Sequence, residues 1–353
     1  MTASRLFSKG YQPSGPDRLV DRSGIDAVLA ECARQHQDAM ETVSGASEAA
    51  DRLAETIERT GQLLLLGMGA SHYVNQIAAA RFRAAGVAAV AMPASEALYT
   101  GLPSLDRPVV LVSQSGGSAE VIKWLNGQDS LTDVFGLTLD TAGTLGKRVP
   151  SVIAAGGPEK AFAATRSFAL TMALYAVILA RMNGAGADLL PTEEPPVHAQ
   201  VEAGIAALER VKAFAASGRG SFDGMAGMAA LGIMELTRLP ALALEGGQLR
   251  HGPVEMLGPE TGVILFRPAG PSAGAWESIA GFCSAAGAPL VVFDASGEPP
   301  LEDAVTLDFP PGDGLASLYA MAPTQQALTI ALASRFAHNA GQPLYCGKVT
   351  TSE

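Results

Sequence analysis

Cysteine is scarce, basic residues are outnumbered and no long apolar run occurs in this chain of 353 residues. The three cysteines, Cys32, Cys283 and Cys346, are odd in number, widely spaced and without a Cys-x-x-Cys pair or a neighbouring histidine cluster. That pattern speaks against a disulfide framework and against structural zinc. The 5 histidines (His36, His72, His198, His251 and His338) show no metal-ligand spacing, so no metal is expected. With 24 Lys and Arg against 35 Asp and Glu, the formal net charge is -11. No basic block, basic arm or helix-turn-helix segment stands out, which disfavours a nucleic-acid partner. An anionic ligand would therefore have to be held by neutral donors. No apolar run reaches the roughly 20 residues of a membrane span, and Arg5 and Lys9 lack the apolar segment that a secretory signal carries behind its basic residues. The expectation is a cytoplasmic protein with no membrane partner.

What is present is the composition of a globular protein, 48% apolar and 17% charged, and a length that at roughly 100 to 200 residues per domain suggests two domains. Residues 24–60 carry Ile25, Val28, Leu29, Met40, Val43, Ala50, Leu53 and Ile57 at near-helical spacing, which predicts one or two lead-in helices. From residue 62 short apolar runs alternate with helix-length stretches. The runs at 63–66, 87–92, 109–112, 134–139 and 152–155 read as buried parallel strands, and 72–85, 119–125 and 166–182 as helices. Such alternation predicts a doubly wound α/β sheet. Residues 183–198, with Gly184, Gly186, Pro191, Pro195 and Pro196, read as an interdomain linker. Beyond it, strands at 241–244, 263–266, 290–293 and 305–309 and helices near 225–238, 275–286 and 315–338 repeat the layout. The halves have the look of a divergent duplication.

Two strand-to-helix turns carry the chemistry. The first, Gly67-Met-Gly69-Ala70-Ser71-His72, has the opening of a dinucleotide fingerprint, but its third glycine would fall where His72 stands and no acid follows the next strand near Met92. A nicotinamide cofactor is therefore disfavoured, and no cofactor is expected. Backbone N-H groups at such a turn, with the Ser71 hydroxyl, can still approach an anion. The second turn, Ser113-Gln114-Ser115-Gly-Gly-Ser118, places three hydroxyls and an amide within six residues before a helix. Neutral donors and the helix dipole can surround a phosphate there without a lysine.

On these residues the chain resembles the sugar isomerase (SIS) family, and within it the isomerase half of glucosamine-6-phosphate synthase. Ser113-Gln-Ser-Gly is similar to that family's phosphate loop, over a resemblance that covers residues 45–353. It implies two tandem doubly wound, flavodoxin-like SIS domains at 45–185 and 200–338, a lead-in region at 1–44, a linker at 186–199, and a tail at 339–353 that closes over the site. It also implies that Ser71, Ser113, Gln114, Ser115 and Ser118 contact the phosphate, with Gly69 and Ala70 in the substrate-binding turn. Glu159-Lys-Ala-Phe162-Ala163-Ala164-Thr165-Arg166 matches a family segment in which Phe162 and Ala163 would line the sugar. In the second half, Gly218-Arg-Gly220, Glu235 and Glu245-Gly-Gly-Gln-Leu-Arg-His251 keep the synthase spacing. The resemblance makes Glu235 the enolising base and His251 the ring-opening histidine. Lys348, six residues after Gln342, takes the place of the family's tail lysine, as a Schiff-base amine or a cation beside the enolate oxygen. Ala70, Ala164 and Gly232 stand where the family carries threonine, serine and lysine.

The activity implied is that of a phosphosugar isomerase or deaminase converting glucosamine 6-phosphate to fructose 6-phosphate and ammonia. A glutaminase domain is not seen in the chain, so glutamine is not expected as nitrogen donor. Family precedent adds a homodimer in which the His251 loop reaches the partner's site. Two alternatives stay open: a fructosamine-6-phosphate deglycase, and a sugar-phosphate-binding regulator without turnover.

Overall fold

The structure, a computed structural model, describes all residues except 10, 11, 13–17, 46, 101–106, 183–188 and 351–353. Part of the expected linker (183–188) and the last residues of the expected tail (351–353) lie outside the described residues. Two compact units are present, one formed by Arg34–Thr192 with Pro343–Glu353 and the other by Met1–Ala33 with Glu193–Gln342.

Along the chain, α1 (Ala3–Ser8), α2 (Ser23–Ser44) and α3 (Glu48–Thr60) precede the first sheet. That sheet contains β1 (Gln62–Gly67), β2 (Ala88–Pro93), β3 (Val109–Val112), β4 (Val134–Thr138) and β5 (Ser151–Ile153). Helices α4 (Ala70–Ala84), α5 (Ala94–Tyr99), α6 (Ala119–Asn126) and α7 (Thr144–Arg148) connect its strands, and α8 (Arg166–Arg181) follows. After α9 (Val201–Leu208) come β6 (Ala213–Ser217), α10 (Ser221–Thr237), β7 (Ala241–Ala243) and α11 (Gly246–Arg250). The chain continues through β8 (Thr261–Arg267), α12 (Glu277–Ala286), β9 (Leu290–Asp294), β10 (Val305–Asp308) and α13 (Leu315–Phe336). The stretch 24–60, where the sequence predicts one or two helices, holds two, α2 and α3. The Ala-rich β6 is a strand that sequence periodicity does not reveal, because alanine has little β preference and the run is short.

Each sheet is fully parallel. The strand order is β2-β1-β3-β4-β5 in one and β10-β9-β8-β6-β7 in the other. Numbered within its own half, the second sheet has the order 2-1-3-4-5 of the first, so the duplicated layout holds at the level of topology. The strands read as unbroken apolar runs because helices cover both faces, and Leu63 to Leu66 of β1 are all buried. On one face of the first sheet, Val121, Trp124 and Leu125 of α6 pack with Leu64, Leu66, Val109 and Leu111. This contact anchors α6, and with it the loop that precedes it.

The order 2-1-3 sends the chain from β1 to one side and from β3 to the other, opening a crevice at their carboxyl ends. The register pairs Gly67 with Val112, so the Gly67–Ser71 turn and the Ser113–Ser118 loop leave neighbouring strand ends side by side. The glycines of the first turn have separate reasons. A Cβ on Gly67 would sit 3.0 Å from the Asn75 amide nitrogen and 3.1 Å from Ser71, whereas Gly69 has φ +52° with open space around it. The second half repeats this turn. A Cβ on Gly218 would meet the Phe222 carbonyl oxygen at 2.1 Å, and Gly220 has φ +59°.

Gly218→Ala is expected to lower stability by about 1–3 kcal/mol, the usual cost of overpacking a tight contact. Gly258→Ala, where nothing lies within 4 Å, should stay within about 0.5 kcal/mol. Urea unfolding followed by circular dichroism distinguishes the two.

Candidate active site

The serine loop is tied to the sheet before it is free to bind anything. Ser113, buried at the end of β3, donates its N-H to the Leu137 carbonyl at 3.1 Å, and the Gln114 carbonyl accepts from Leu139 N-H at 3.0 Å and from the Thr138 hydroxyl at 3.3 Å. Gly116 turns the chain with φ +62°. The hydroxyls then face one another: Ser113 Oγ lies 2.9 Å from Ser118 Oγ, and Ser115 Oγ accepts the Gly117 N-H at 3.3 Å. Ser118 holds the N-cap position of α6 without capping it through its side chain. The resulting cradle is uncharged, which suits an anion in an acidic protein. On the neighbouring strand end, Gly69 is the N-cap of α4, and Ala70 and the half-buried Ser71 form its first turn.

Behind the cradle, between β5 and α8, sits a fully buried carboxylate that carries the most connections of any group in this region. Glu159 Oε1 accepts from Thr165 N-H, Thr165 Oγ and Arg166 N-H at 2.8–2.9 Å, and Oε2 accepts from Ser167 Oγ at 2.6 Å. Lys348 Nζ reaches the same Oε2 at 2.8 Å and the Phe162 carbonyl at 3.4 Å. Burial pushes the Glu159 carboxyl up, but the Lys348 ammonium and the hydrogen bonds from Lys348, Ser167 and Thr165 outweigh it, and the group titrates below the ordinary glutamate value. The Glu159 N-H donates to Gln114 Oε1 at 3.1 Å. The tail is attached a second time where Ala119 N-H, at the start of α6, donates to the Thr350 carbonyl at 2.9 Å. Gln114, Phe162, Ala163, Ser118 and Lys348 are thus gathered around one loop and one carboxylate in the same unit.

Glu235 and His251 belong to the other unit. Glu235 is half-buried near the C-terminal end of α10, and His251 is exposed where α11 ends, before Gly252 at φ +115°. The duplicated turn in this unit has a different chemistry. Arg219 pairs with Glu245 at 3.5 Å, Glu245 caps α11 by accepting from Gly247 and Gln248 N-H, and Asp223 in the first turn of α10 is pushed up to about 6 by burial and by Glu245. Carboxylates at that helix start oppose an anion. Of the two equivalent turns, the one beside Ser113 has hydroxyls and, among the described residues, no carboxylate next to it.

No protein-family model matches the chain. Among curated proteins, the isomerizing glutamine-fructose-6-phosphate aminotransferase of Pyrococcus horikoshii is 22% identical over 272 residues, which cover 71% of this chain and 45% of the relative. The matched region thus spans about half the length of that protein. Among solved structures, the C-terminal domain of glucosamine-fructose-6-phosphate aminotransferase from Francisella tularensis superposes with a TM-score of 0.74 at 18% identity, covering 90% of this chain and 98% of that one. The two parallel sheets of this chain share the fold of that domain. Glucosamine-6-phosphate deaminase from Thermotoga maritima has the same fold, with a TM-score of 0.65, 18% identity, and coverage of 88% of this chain and 99% of that one. The chain is similar in sequence to these aminotransferases over about half their length and in fold to phosphosugar isomerases and deaminases.

Among the described residues, no group of His, Cys, Asp and Glu is arranged to hold a metal, and no helix is long and apolar enough to cross a membrane. The residue that sequence reasoning left without a role is Glu159. Its signal is present in the chain, as an acid shortly before Thr165-Arg166-Ser167 at the start of a largely apolar helix. The partner 189 residues away is not visible there.

Because the Glu159 carboxyl is held below its reference value of 4.5, its stabilisation is full above that pH and is lost as the pH falls through the lower folded-state value. Glu159→Gln is therefore expected to cost about 2 kcal/mol at neutral pH, the scale of a charge-assisted hydrogen bond. The two proteins should converge in stability in strong acid, which unfolding curves between pH 3 and 8 would measure.

Proposed function

We propose that the protein is an enzyme that converts glucosamine 6-phosphate and water to fructose 6-phosphate and ammonia. The observation that carries this reading is the uncharged hydroxyl loop at the β1/β3 crevice with a lysine, Lys348, held beside it by Glu159 and the Phe162 carbonyl. Ser71, Ser113, Gln114, Ser115 and Ser118 would receive the phosphate at the turn that Gly69 and Ala70 form, and Phe162 and Ala163 would line the sugar. Binding at the phosphate end then contributes orientation at C1 and C2.

In this reading His251 opens the ring by moving the anomeric proton, which imidazole can both give and take near neutrality. Glu235 removes the proton from C2 and returns it to C1, so that an aldose amine becomes a ketose imine through an enolamine. Water adds to the imine carbon, ammonia leaves, and the ketose phosphate remains. Lys348 serves as a cation beside the oxygen on which charge develops. The proposal includes a cytoplasmic homodimer with the His251 loop serving the partner's site, and domain limits at 45–185 and 200–338. The fructosamine-6-phosphate deglycase reading keeps one support of its own. Gly232, buried on α10, removes the cation that the synthase family carries three residues before its glutamate.

The test is incubation with glucosamine 6-phosphate and, separately, with a fructosamine 6-phosphate, following ammonia, free amino acid and hexose phosphate. Ammonia release that falls by roughly 10²–10⁴-fold in Glu235→Gln, the range of a general acid-base contribution, is the expected result. Amino-acid release instead assigns the deglycase reaction. A raised melting temperature with either sugar and no turnover would overturn catalysis and leave a binding protein.

A further inference from the structure

We propose that Glu159 is the positioning residue of this site: its carboxylate holds Lys348 beside the phosphate loop, and its backbone N-H fixes the direction of the Gln114 amide. The inference rests on the functional reading above only in giving Lys348 a part in the chemistry. The contacts themselves lie within one unit and stand without it.

The reason to look beyond a structural role is the identity of the residue. Glu159 caps the start of α8, accepting from the Thr165 and Arg166 N-H groups and the Ser167 hydroxyl. Serine, threonine or asparagine does that work at a helix start without a charge. A fully buried carboxylate costs desolvation that a neutral cap avoids. What the carboxylate adds is a counter-charge, and the cation it meets is Lys348, at 2.8 Å, with side-chain exposures of 0% for Glu159 and 19% for Lys348. The local donors lie 6 to 8 residues away in sequence, whereas Lys348 lies 189 residues away. The charge therefore serves a long-range purpose, and that purpose is to keep the tail in place. Thr350, two residues beyond Lys348, accepts from Ala119 N-H at the start of α6, so the tail is pinned on both sides of the loop.

The second half of the inference concerns Gln114. Its side-chain oxygen is committed to the Glu159 N-H, which leaves the amide nitrogen as the end offered to the cradle. An amide turned the other way would present an acceptor to an anion. Glu159 thus determines both that a cation stands beside the loop and that Gln114 meets the phosphate as a donor.

Glu159→Gln separates these functions. The glutamine can keep the cap and the backbone N-H to Gln114, and it loses the charge that holds Lys348. In the whole protein, trace acetylation read by mass spectrometry should label Lys348 at least roughly tenfold faster in Glu159→Gln than in the wild type, the equivalent of one charge-assisted hydrogen bond. The exposed Lys147 should label equally in both. With glucosamine 6-phosphate, kcat should fall by about 10²-fold, the cost of a misplaced group, with KM within about threefold. Gln114→Ala should instead raise KM and leave Lys348 labelling unchanged. Equal labelling of Lys348 in wild type and Glu159→Gln would overturn the inference. If that variant does not fold, Glu159→Asp, which withdraws the charge by one methylene, must show an intermediate rise, and no rise counts equally against it. A labelling difference in a wild-type protein that turns over no amino-sugar phosphate would uphold the positioning role and remove the proposed reaction.

Discussion

The pairing of β1 with β3, end to end at Gly67 and Val112, is the constraint on which the rest of the site depends. Strands buried on both faces present side chains only to the core, so ligand chemistry has to sit at strand ends. In the order 2-1-3-4-5 the connections from β1 and β3 part in opposite directions, and the gap between them is where turn residues can face a ligand from both sides. The packing of Trp124 and its neighbours on the sheet holds α6 close behind the serine loop. Polar atoms of the loop are thereby positioned by an apolar contact several residues away.

The two halves show how one backbone solution accommodates different side chains. Gly69 and Gly220 take up nearly the same conformation, φ 52° and ψ -127° against φ 59° and ψ -126°. Beside the first turn stand hydroxyls; beside the second stand Asp223, Glu245 and Arg219, with charges that answer one another. Further along the second sheet, Arg267 at the end of β8 is buried and pairs with Asp294 at 2.9 Å. The strand end that corresponds to Ser113 is thus closed by an internal ion pair. The two halves share the turn, and their side chains differ in the charge placed beside it.

Charge is deployed sparingly around the loop. The loop offers neutral donors instead of a cluster of lysines, and Lys348 comes with its own buried counter-charge. The Glu159 carboxylate is satisfied from both oxygens by local donors, so its ionised state does not depend on Lys348 alone. That makes it a fixed reference point to which a chain segment arriving from the far end of the sequence can attach.

Much of this was legible in the linear chain. Apolar runs of four to six residues marked nine of the ten strands, glycines marked both sharp turns, and Ser113, Gln114, Ser115 and Ser118 declared the loop, because strand burial, positive φ and hydroxyl density are local properties. The short Ala-rich β6 was not legible, since its strand state comes from pairing with β7 and β8. Nor was the role of Glu159. By itself the sequence determined the α/β class, the doubled layout and a loop of neutral hydroxyl and amide donors; only the tertiary structure decided which of the two turns is free of opposing carboxylates and which cation meets the buried glutamate. Those outcomes depend on contacts between residues up to 189 positions apart, and residue order carries no distance between such positions until the sheets assemble.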